Sequence, residues 1–330
     1  MTDGRSVHPL PHFTTKPDFW GAAAAAWRDA STAIVVGDGE IGVVDADGEH
    51  DTAACAGCTG VALAGDTVVT ARSNYRAGDG FDLIEFDRAL RATRVTAAAR
   101  LNERWLGIRS DEDTGSPRVF AASADEVYLS YTSRLGGARH GPDVIARYSR
   151  TGRQLAYLMV DGNTRDEIVS PDGRFAAMIA SGSGGACITV ANLRVVDLRD
   201  MRQLDTYPDR PLPRMTATGD LAGSWFDTDD LRWAGASVVA AGQLHRPPPG
   251  QTCDPSPESW VRTYDTASQS FTDRPADGVR ALRVVGPRCS DEIGYSGNGD
   301  GSVIAVQDGA QHQLAANASI VASTAGSLSC

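Results

Sequence analysis

The sequence lacks a long apolar run. No stretch approaches the roughly 18 residues that a membrane-spanning helix needs, and the longest stretch of low polarity, Gly21–Ala26, is a short alanine-rich segment. No basic residues lead into an apolar core of the signal-peptide type, although a removed signal peptide replaced by a starting Met would leave the same text. The sequence therefore predicts a soluble chain with no membrane span.

Acidic residues outnumber basic ones, and lysine is nearly missing. Among the 31 basic residues only Lys16 is a lysine, and the formal net charge is −11. A negative protein repels phosphate backbones and anionic lipids at long range. This balance excludes nucleic acid as an expected partner.

Motifs for metal binding and catalysis are also missing. The six histidines show no HxH or HExxH spacing, and the chain contains no GxSxG elbow, P-loop or twelve-residue EF-hand loop. Clusters such as Asn298-Gly-Asp-Gly301 are interpreted as turns, since Asx-Gly pairs favour them. The sequence predicts no metal, no cofactor and no catalytic residue, which favours a protein that is not an enzyme.

A pattern of four β-rich runs recurs along the chain. The second runs are TVVTAR at 67–72, EVYLSY at 126–131, FAAMIA at 175–180, SVVAA at 237–241 and EIGY at 292–295. The third runs are DLIEFD at 82–87, DVIARYS at 143–149, LRVVDL at 193–198, WVRTYD at 260–265 and SVIAVQD at 302–308. No sustained 3.6-residue apolar period separates the units, which argues against intervening helices. Each unit is predicted to be a four-stranded antiparallel meander.

Such a unit cannot bury both of its faces alone, so copies must stack, and stacking in a ring leaves only short protected edges. We therefore predict an all-β fold, a β-propeller of about six blades. Seven blades are the alternative count, and a pair of β-sandwiches is the competing fold. The complete units lie at 59–97, 117–160, 165–207, 229–274 and 279–316.

The remaining blade takes its outer strands from the N-terminal runs 32–37, 40–45 and 49–53. The C-terminal run 319–324 is predicted as its innermost strand, so that both chain ends share one blade and close the ring. In the alternative, residues 19–27 supply that strand. The predicted domains are an N-terminal extension, 1–30, and a single propeller, 31–330.

One break between runs carries a recognisable motif. Ser170-Pro-Asp-Gly-Arg-Phe-Ala-Ala-Met178 resembles the SPDG-type turn of TolB-like and WD40-like propeller repeats. Proline and Asp-Gly favour a tight turn in which Gly173 adopts a positive φ. The resemblance implies the propeller fold, and it implies no particular activity.

Loop length separates the two faces of the predicted disc. With strands lettered a to d from the axis outward, the b–c and d–a connections emerge on one face and the a–b and c–d turns on the other. The b–c connections at 73–80, 134–142, 181–192 and 245–259 are long and dissimilar, whereas the c–d turns are short. Variable loops on a rigid frame are where binding usually resides.

This face is predicted to bind a ligand through Tyr75, Arg76, Asp111, Asp113, Arg134, Arg139, His140, His245 and Arg246. Arginines and aromatics around a concave mouth suit an acidic protein loop, a carboxylate or a sugar. The leading hypothesis is a non-catalytic module or scaffold that binds a protein, or a glycan. The alternative is a propeller hydrolase or lyase whose axial site uses the two histidines and the acidic residues at 111–113.

Six cysteines allow 15 pairings, and the propeller arrangement brings them together in neighbouring positions. Cys55 and Cys58 share one connection, Cys187 and Cys253 lie in neighbouring b–c loops, and Cys289 and Cys330 lie near the seam. Disulfides at these sites favour an oxidising, extracytoplasmic location over the cytoplasm. A local disulfide or structural pair is preferred over redox catalysis for Cys55-Ala-Gly-Cys58.

Overall fold

The computed structural model describes residues 13, 24–29, 31–37, 39–45, 47–74, 80–99, 117–132, 142–160, 162–185, 188–204, 214–215, 221–222, 225–245, 258–275, 280–285, 301–307 and 310–318. Throughout these residues the regular elements are β-strands. No helix in the described ranges is long and apolar enough to cross a membrane.

The strands form successive antiparallel meanders, called blades 1 to 6 below. Blade 1 contains β1 (Ala24–Trp27), β2 (Ala33–Gly37), β3 (Glu40–Asp45) and β4 (Gly48–Ala54). Blade 2 contains β5 (Cys58–Ala64), β6 (Thr67–Asn74), β7 (Gly80–Phe86) and β8 (Ala92–Ala99). Blade 3 contains β9 (Arg118–Ala122), β10 (Glu126–Thr132), β11 (Asp143–Ser149) and β12 (Gln154–Val160).

Blade 4 contains β13 (Asn163–Val169), β14 (Phe175–Gly185), β15 (Ile188–Asp197) and β16 (Arg202–Gln203). A small hairpin, β17 (Arg214–Met215) and β18 (Leu221–Ala222), precedes blade 5. Blade 5 contains β19 (Trp225–Ala234), β20 (Ser237–His245), β21 (Glu258–Asp265) and β22 (Ser270–Pro275). Blade 6 contains β23 (Arg280–Val285), β24 (Gly301–Gln307) and β25 (Ala310–Ala318).

Consecutive blades meet along their first strands, which run in the same direction. β5 pairs in parallel with β9 at Gly60 and Val119. Near the start of β9, the Arg118 guanidinium donates to the carbonyl oxygen of Thr164 at the start of β13. Near the end of β19, Trp233 Nε1 donates to the Ile168 carbonyl at the end of β13 (3.3 Å). Meanders whose first strands gather side by side form a β-propeller, which confirms the predicted fold class.

Each large apolar cluster is shared by two successive blades, as the stacking argument requires. Val36 and Val68 belong to the cluster between blades 1 and 2, and Leu83 and Val144 to that between blades 2 and 3. Further clusters join blades 3 and 4, and blades 4 and 5. The core is therefore a series of layers between blades.

The first strands of blades 2 to 5 share a feature that the sequence analysis missed. Each has a register shift against the second strand of its blade. The shifts lie between Thr59 and Ala62 in β5, in β9 opposite Tyr128 and Leu129, between Arg165 and Ile168 in β13, and between Thr228 and Asp230 in β19. Such β-bulges bend a strand and increase its local twist.

The SPDG-type turn forms between β13 and β14 as predicted. Gly173 has a φ of 71°, and its amide donates to the Ser170 carbonyl (2.8 Å). The Ser170 hydroxyl accepts the Phe175 amide (2.9 Å) and donates to Asp172 Oδ1 (2.5 Å). These bonds explain why serine, aspartate and glycine occur at this spacing.

The ends of the chain are arranged differently from the preferred prediction. β1 pairs antiparallel with β2, so the N-terminal segment fills the first-strand position of blade 1, and residues 319–324 lie outside the described residues. β1 also places the expected domain boundary at residue 30 between two paired strands. In blade 6, β23 pairs directly with β24, so the run at 302–308 is the second strand of the sheet, and 292–295 lie outside the described residues.

The prediction of a long b–c loop at 181–192 was wrong. β14 and β15 remain paired as far as Gly185 and Ile188, so residues 181–185 and 188–192 are strand residues. The glycines and serines among them suggested a loop because they have low β-propensity. The pairing with β15 overrides that local preference.

Candidate functional site

The strand directions define two faces of the propeller. We use the name loop face for the side of the propeller where the first and third strands of each blade begin and the second strands end. The opposite side is the turn face. On the turn face, the amide of Leu198 in a c–d turn donates to the Arg174 carbonyl in an a–b turn (2.9 Å). On the loop face, the Cys55 amide donates to the Gly39 carbonyl (2.7 Å). The predicted grouping of connections therefore follows from the strand directions.

Near the loop face, blades 3 and 4 are joined by a group of polar side chains that we call the inner ion cluster: Arg118, Ser130, Asp143, Thr164 and Glu167. Arg118 Nη2 lies 2.9 Å from Glu167 Oε1, with 30% of the Arg118 side chain and 8% of the Glu167 side chain exposed. Ser130 donates to the same carboxylate oxygen (2.7 Å). This ion pair joins β9 of one blade to β13 of the next.

The other half of the cluster is built around Asp143 at the start of β11. Its Oδ2 accepts the Thr164 amide (2.7 Å) and the Thr164 hydroxyl (2.9 Å). Both residues are almost fully buried. A charged acceptor that binds a backbone amide and a hydroxyl fixes the start of β13 against blade 3.

Electrostatics keep the cluster charged. Burial alone raises the pKa of Glu167, but the charge of Arg118 and the hydrogen bonds from Ser130 and Thr164 outweigh burial and hold that pKa below its usual value. Burial lowers the pKa of Arg118, whereas the charges of Glu167, Asp143 and Asp166 raise it further, with a net increase. Glu167 is therefore an ionised partner and not a proton donor near neutral pH.

The bulge in β13 positions Glu167. Asp166 has a φ of 55°, a left-handed conformation that non-glycine residues rarely adopt. The adjacent bulge turns Asp166 outward, where it pairs with Arg165 at the surface, while Glu167 contacts Arg118. The strained conformation at Asp166 therefore lies directly beside the partly buried Arg118–Glu167 ion pair.

The inner ion cluster has a structural role, because it links strands of blades 3 and 4. Its carboxylates already accept hydrogen bonds from Arg118, Ser130 and Thr164, so they hold strands together. In the part of the chain that the structure describes, no group of three or more metal-ligating side chains occurs.

A second polar group lies where blade 1 leads into blade 2. Cys55 and Cys58 form a disulfide with a Cα–Cα distance of 5.4 Å, which confirms the predicted local pair. Across the strand pair from Cys58 stands Arg72, whose Nη2 lies 2.7 Å from Asp82 Oδ2. Arg72 and Asp82 are thereby held beside the connection that carries the disulfide.

The predicted ligand-binding residues are distributed unevenly over the described structure. His245 is half-buried at the end of β20, opposite Trp225 at the start of β19, and so lies on the loop face. The others lie outside the described residues: Tyr75, Arg76, Asp111, Asp113, Arg134, Arg139, His140 and Arg246. Cys187, Cys253, Cys289 and Cys330 are also outside the described residues.

Sequence reasoning missed the inner ion cluster because it treated charges as exposed loop groups. One signal was present: an aspartate begins or nearly begins the third strands of blades 2 and 3, at Asp82 and Asp143. Asp82 pairs with Arg72, and Asp143 binds Thr164. A repeated charge at the same place in a buried strand indicates a polar partner nearby, which lies in the same blade for Asp82 and in the next blade for Asp143.

No protein-family model matches the sequence, and no curated protein matches it significantly. Solved structures similar to it include hydrazine synthase from Kuenenia stuttgartiensis (12% identity, 93% of this chain and 80% of that one, TM-score 0.48). BamB from Moraxella catarrhalis has 13% identity over 91% and 78%, with a TM-score of 0.40. Lignostilbene dioxygenase from Pseudomonas brassicacearum has 11% identity over 86% and 66%, with a TM-score of 0.42. The chain spans just under two thirds of that dioxygenase. Because each TM-score is below 0.5, these likenesses carry no argument about function.

Proposed function

We propose that this propeller is a non-catalytic binding module that recognises a protein through its loop face. The observation that carries the proposal is the strand direction: the second strands β6, β10 and β20 all end on that face, where β7, β11 and β21 begin. The connections 75–79, 133–142 and 246–257 therefore start and finish on one side. Variable connections on one side of a rigid sheet frame are where binding usually resides.

The residue types in these connections suit an acidic partner. Tyr75, Arg76, Arg134, Arg139, His140 and Arg246 are in the three b–c connections, and Asp111 and Asp113 are in the d–a connection before β9. Arginine binds carboxylates in a bidentate manner, and aromatic residues add contact area at protein interfaces. The same groups make a glycan the second ligand class. A carboxylate-bearing protein loop is favoured because cationic residues predominate in the b–c connections.

The described part of the loop face supports binding more than catalysis. The inner ion cluster includes Ser130 near the end of β10 and Asp143 at the start of β11, and its ionised carboxylate, Glu167, is held by Arg118 and Ser130. A base held in this way has a low pKa and is already saturated with donors. The inner ion cluster instead holds in place the strands from which the loops extend.

Three further features belong to the proposal. The chain forms one propeller domain whose ring closes near its termini, with β1 added to the predicted 31–330. The SPDG-type turn supports a place among TolB-like and WD40-like repeats. The Cys55–Cys58 disulfide supports an oxidising, extracytoplasmic location, because the cytosol keeps most thiols reduced.

Affinity capture from the native source tests the binding face. The double variant Arg134→Glu/Arg139→Glu reverses two charges in the b–c connection of blade 3, and we expect recovery of the partner to fall at least about tenfold. The matched control is Arg88→Glu/Arg153→Glu, which reverses two exposed arginines in c–d turns of the turn face.

Equal recovery by wild type and by R134E/R139E would remove the loop face of blade 3 from the proposal. Loss of the partner with the turn-face control would place the interface on the opposite side. Thermal unfolding of both variants shows whether the fold survives the substitutions.

A further inference from the structure

We propose that the Cys55–Cys58 disulfide is a thiol–disulfide exchange site that reacts with small thiols while the protein stays folded. The pair lies on the loop face, in the connection between β4 and β5. Ala56 and Gly57 between the cysteines are exposed, Cys58 is half-buried and Cys55 is buried. Cys58 is therefore the sulfur that an external reagent reaches first.

The connection keeps its shape without the sulfur–sulfur bond. The Cys55 amide donates to the Gly39 carbonyl (2.7 Å), and the Cys58 amide donates to the Cys55 carbonyl (3.0 Å). Gly57, with a φ of 74°, completes the turn. Because these backbone bonds hold the two Cα atoms at a distance suited to a disulfide, the reduced pair stays aligned and can oxidise again.

The propeller also depends little on this bridge. A disulfide stabilises a fold mainly by restricting the unfolded chain, and the restriction grows with the length of the closed loop. The sequence separation here is 3, so the restriction is near its minimum. Blades 1 and 2 are joined by a buried apolar cluster in which Val36, Val61 and Val68 pack together with Cys55, and most of these contacts do not involve the bridge.

Arg72 supplies the electrostatic element of the site. A Cβ on Gly57 would lie 3.5 Å from Arg72 Cγ, so the arginine stem runs directly over the connection. Arg72 is also the register partner of Cys58. A neighbouring guanidinium favours the thiolate form of a cysteine, which is the reactive form. Asp82, 2.7 Å from Arg72, moderates that charge.

The exchange step balances as follows. In the reduced protein, the Cys58 thiolate attacks one sulfur of a small disulfide, RSSR, and the first RS⁻ leaves and takes up a proton. The deprotonated Cys55 sulfur then attacks Cys58 Sγ, and the second RS⁻ leaves and is protonated. The dithiol is oxidised to the protein disulfide, and RSSR is reduced to two RSH. Reduction by excess thiol runs through the same mixed disulfide at Cys58.

Native-state reduction tests the exchange. The intact protein is treated with dithiothreitol without denaturant, alkylated, and analysed by peptide mass spectrometry, with far-ultraviolet circular dichroism followed in parallel. Because Cys55 is buried, we expect Cys58 to become labelled while the strand signal is unchanged, and oxidised glutathione to restore the disulfide. Labelling that requires unfolding, or thiols that oxidised glutathione leaves free, would overturn the proposal.

Substitutions at Arg72 and Asp82 test the electrostatic element, in a Cys55→Ser background that leaves Cys58 as the measured thiol. Arg72→Gln should slow alkylation of Cys58 by iodoacetamide at pH 7 by about threefold or more, because the thiolate loses its cation. Arg72→Lys should retain the rate, and Asp82→Asn should raise it. Equal rates in R72Q and the background, or failure of R72K to retain the rate, would refute the role of Arg72. Thermal unfolding of each variant verifies the fold.

Discussion

Near the axis, β9 is held by its two neighbours in different ways. Toward blade 2, the Val119 backbone pairs with the Gly60 backbone, and the Thr59 hydroxyl donates to the Pro117 carbonyl (2.6 Å). Toward blade 4, the Arg118 side chain pairs with Glu167. Adjacent residues of one strand thus make a neutral backbone contact on one side and a charged side-chain contact on the other.

The two contacts differ in the kind of substitution that each can accept. The backbone contact depends on the absence of a side chain at Gly60 and has no group that titrates near neutral pH. The Arg118–Glu167 contact is made by side chains and is less sensitive to their size. It requires that two charges, both partly removed from water, stay paired. The first is therefore sensitive to steric bulk, and the second to charge and acid.

Gly60→Ala should have the largest effect. Its Cβ would lie 2.3 Å from the Val119 backbone nitrogen and 2.4 Å from its carbonyl oxygen, at a φ of 68°. The backbones must separate, and we expect a loss of about 3 kcal/mol or more in the free energy of unfolding, measured by urea titration.

Gly65→Ala is the matched control, because Gly65 also has a positive φ, 62°, but has open space around its Cβ position. Its cost should be only about 1 kcal/mol, from backbone conformation alone. Equal losses in the two variants would mean that the close approach of β5 and β9 contributes nothing.

Glu167→Gln should have an intermediate effect. The amide leaves Arg118 without its ionised partner, and we expect a loss of about 2 kcal/mol in the same titration, less than for a fully buried pair because Arg118 is partly exposed. Asp166→Asn is the control: its exposed ion pair with Arg165 should contribute at most about 0.5 kcal/mol. A larger loss in D166N than in E167Q would assign the stabilisation to the charge of Asp166 instead of the Arg118–Glu167 pair.

The smallest effect is a pH dependence confined to the charged contact. The folded-state pKa of Glu167 lies below its ordinary value because the charge of Arg118 and two hydrogen bonds outweigh its burial. The stabilisation is therefore complete above the ordinary carboxyl range and is lost as pH falls through the folded-state pKa. The difference in unfolding free energy between wild type and E167Q should shrink between neutral pH and about pH 3.

G60A is the control for the pH dependence of the Arg118–Glu167 contact. The free-energy difference between wild type and G60A should stay nearly constant over the same pH range, because no titrating group touches that contact. A pH-independent difference for E167Q would show that Glu167 stabilises the fold through packing and neutral hydrogen bonds.

Much of the architecture was predictable because it repeats. Runs such as DLIEFD and DVIARYS recur with polar breaks between them, and each became a strand within one or two residues of the expected bounds. The SPDG-type turn was predictable because its hydrogen bonds are local. The innermost strand of blade 1 was assigned to the wrong end of the chain, because β1 is an alanine-rich run with little β-propensity whose pairing with β2 determines its structure.

The candidate site was less predictable. The end of β20 places His245 on the loop face, whereas its role in binding stays a prediction. The Cys55–Cys58 pair was predicted because both cysteines share one connection between blades. By contrast, Arg118 and Glu167 are far apart in sequence and lie in strands that also contain apolar residues. Their pairing follows from the bulge in β13, which single-sequence patterns do not reveal.

The strand class, the repeating unit and the need for units to stack can be read from the sequence, since alternation, turn chemistry and the burial of both sheet faces are local or compositional requirements. The pairing of Arg118 with Glu167, the need for glycine at position 60 and the strand that completes blade 1 became visible only in the folded protein. Those outcomes depend on the distances between strands of different blades, and such distances exist only once the blades have packed.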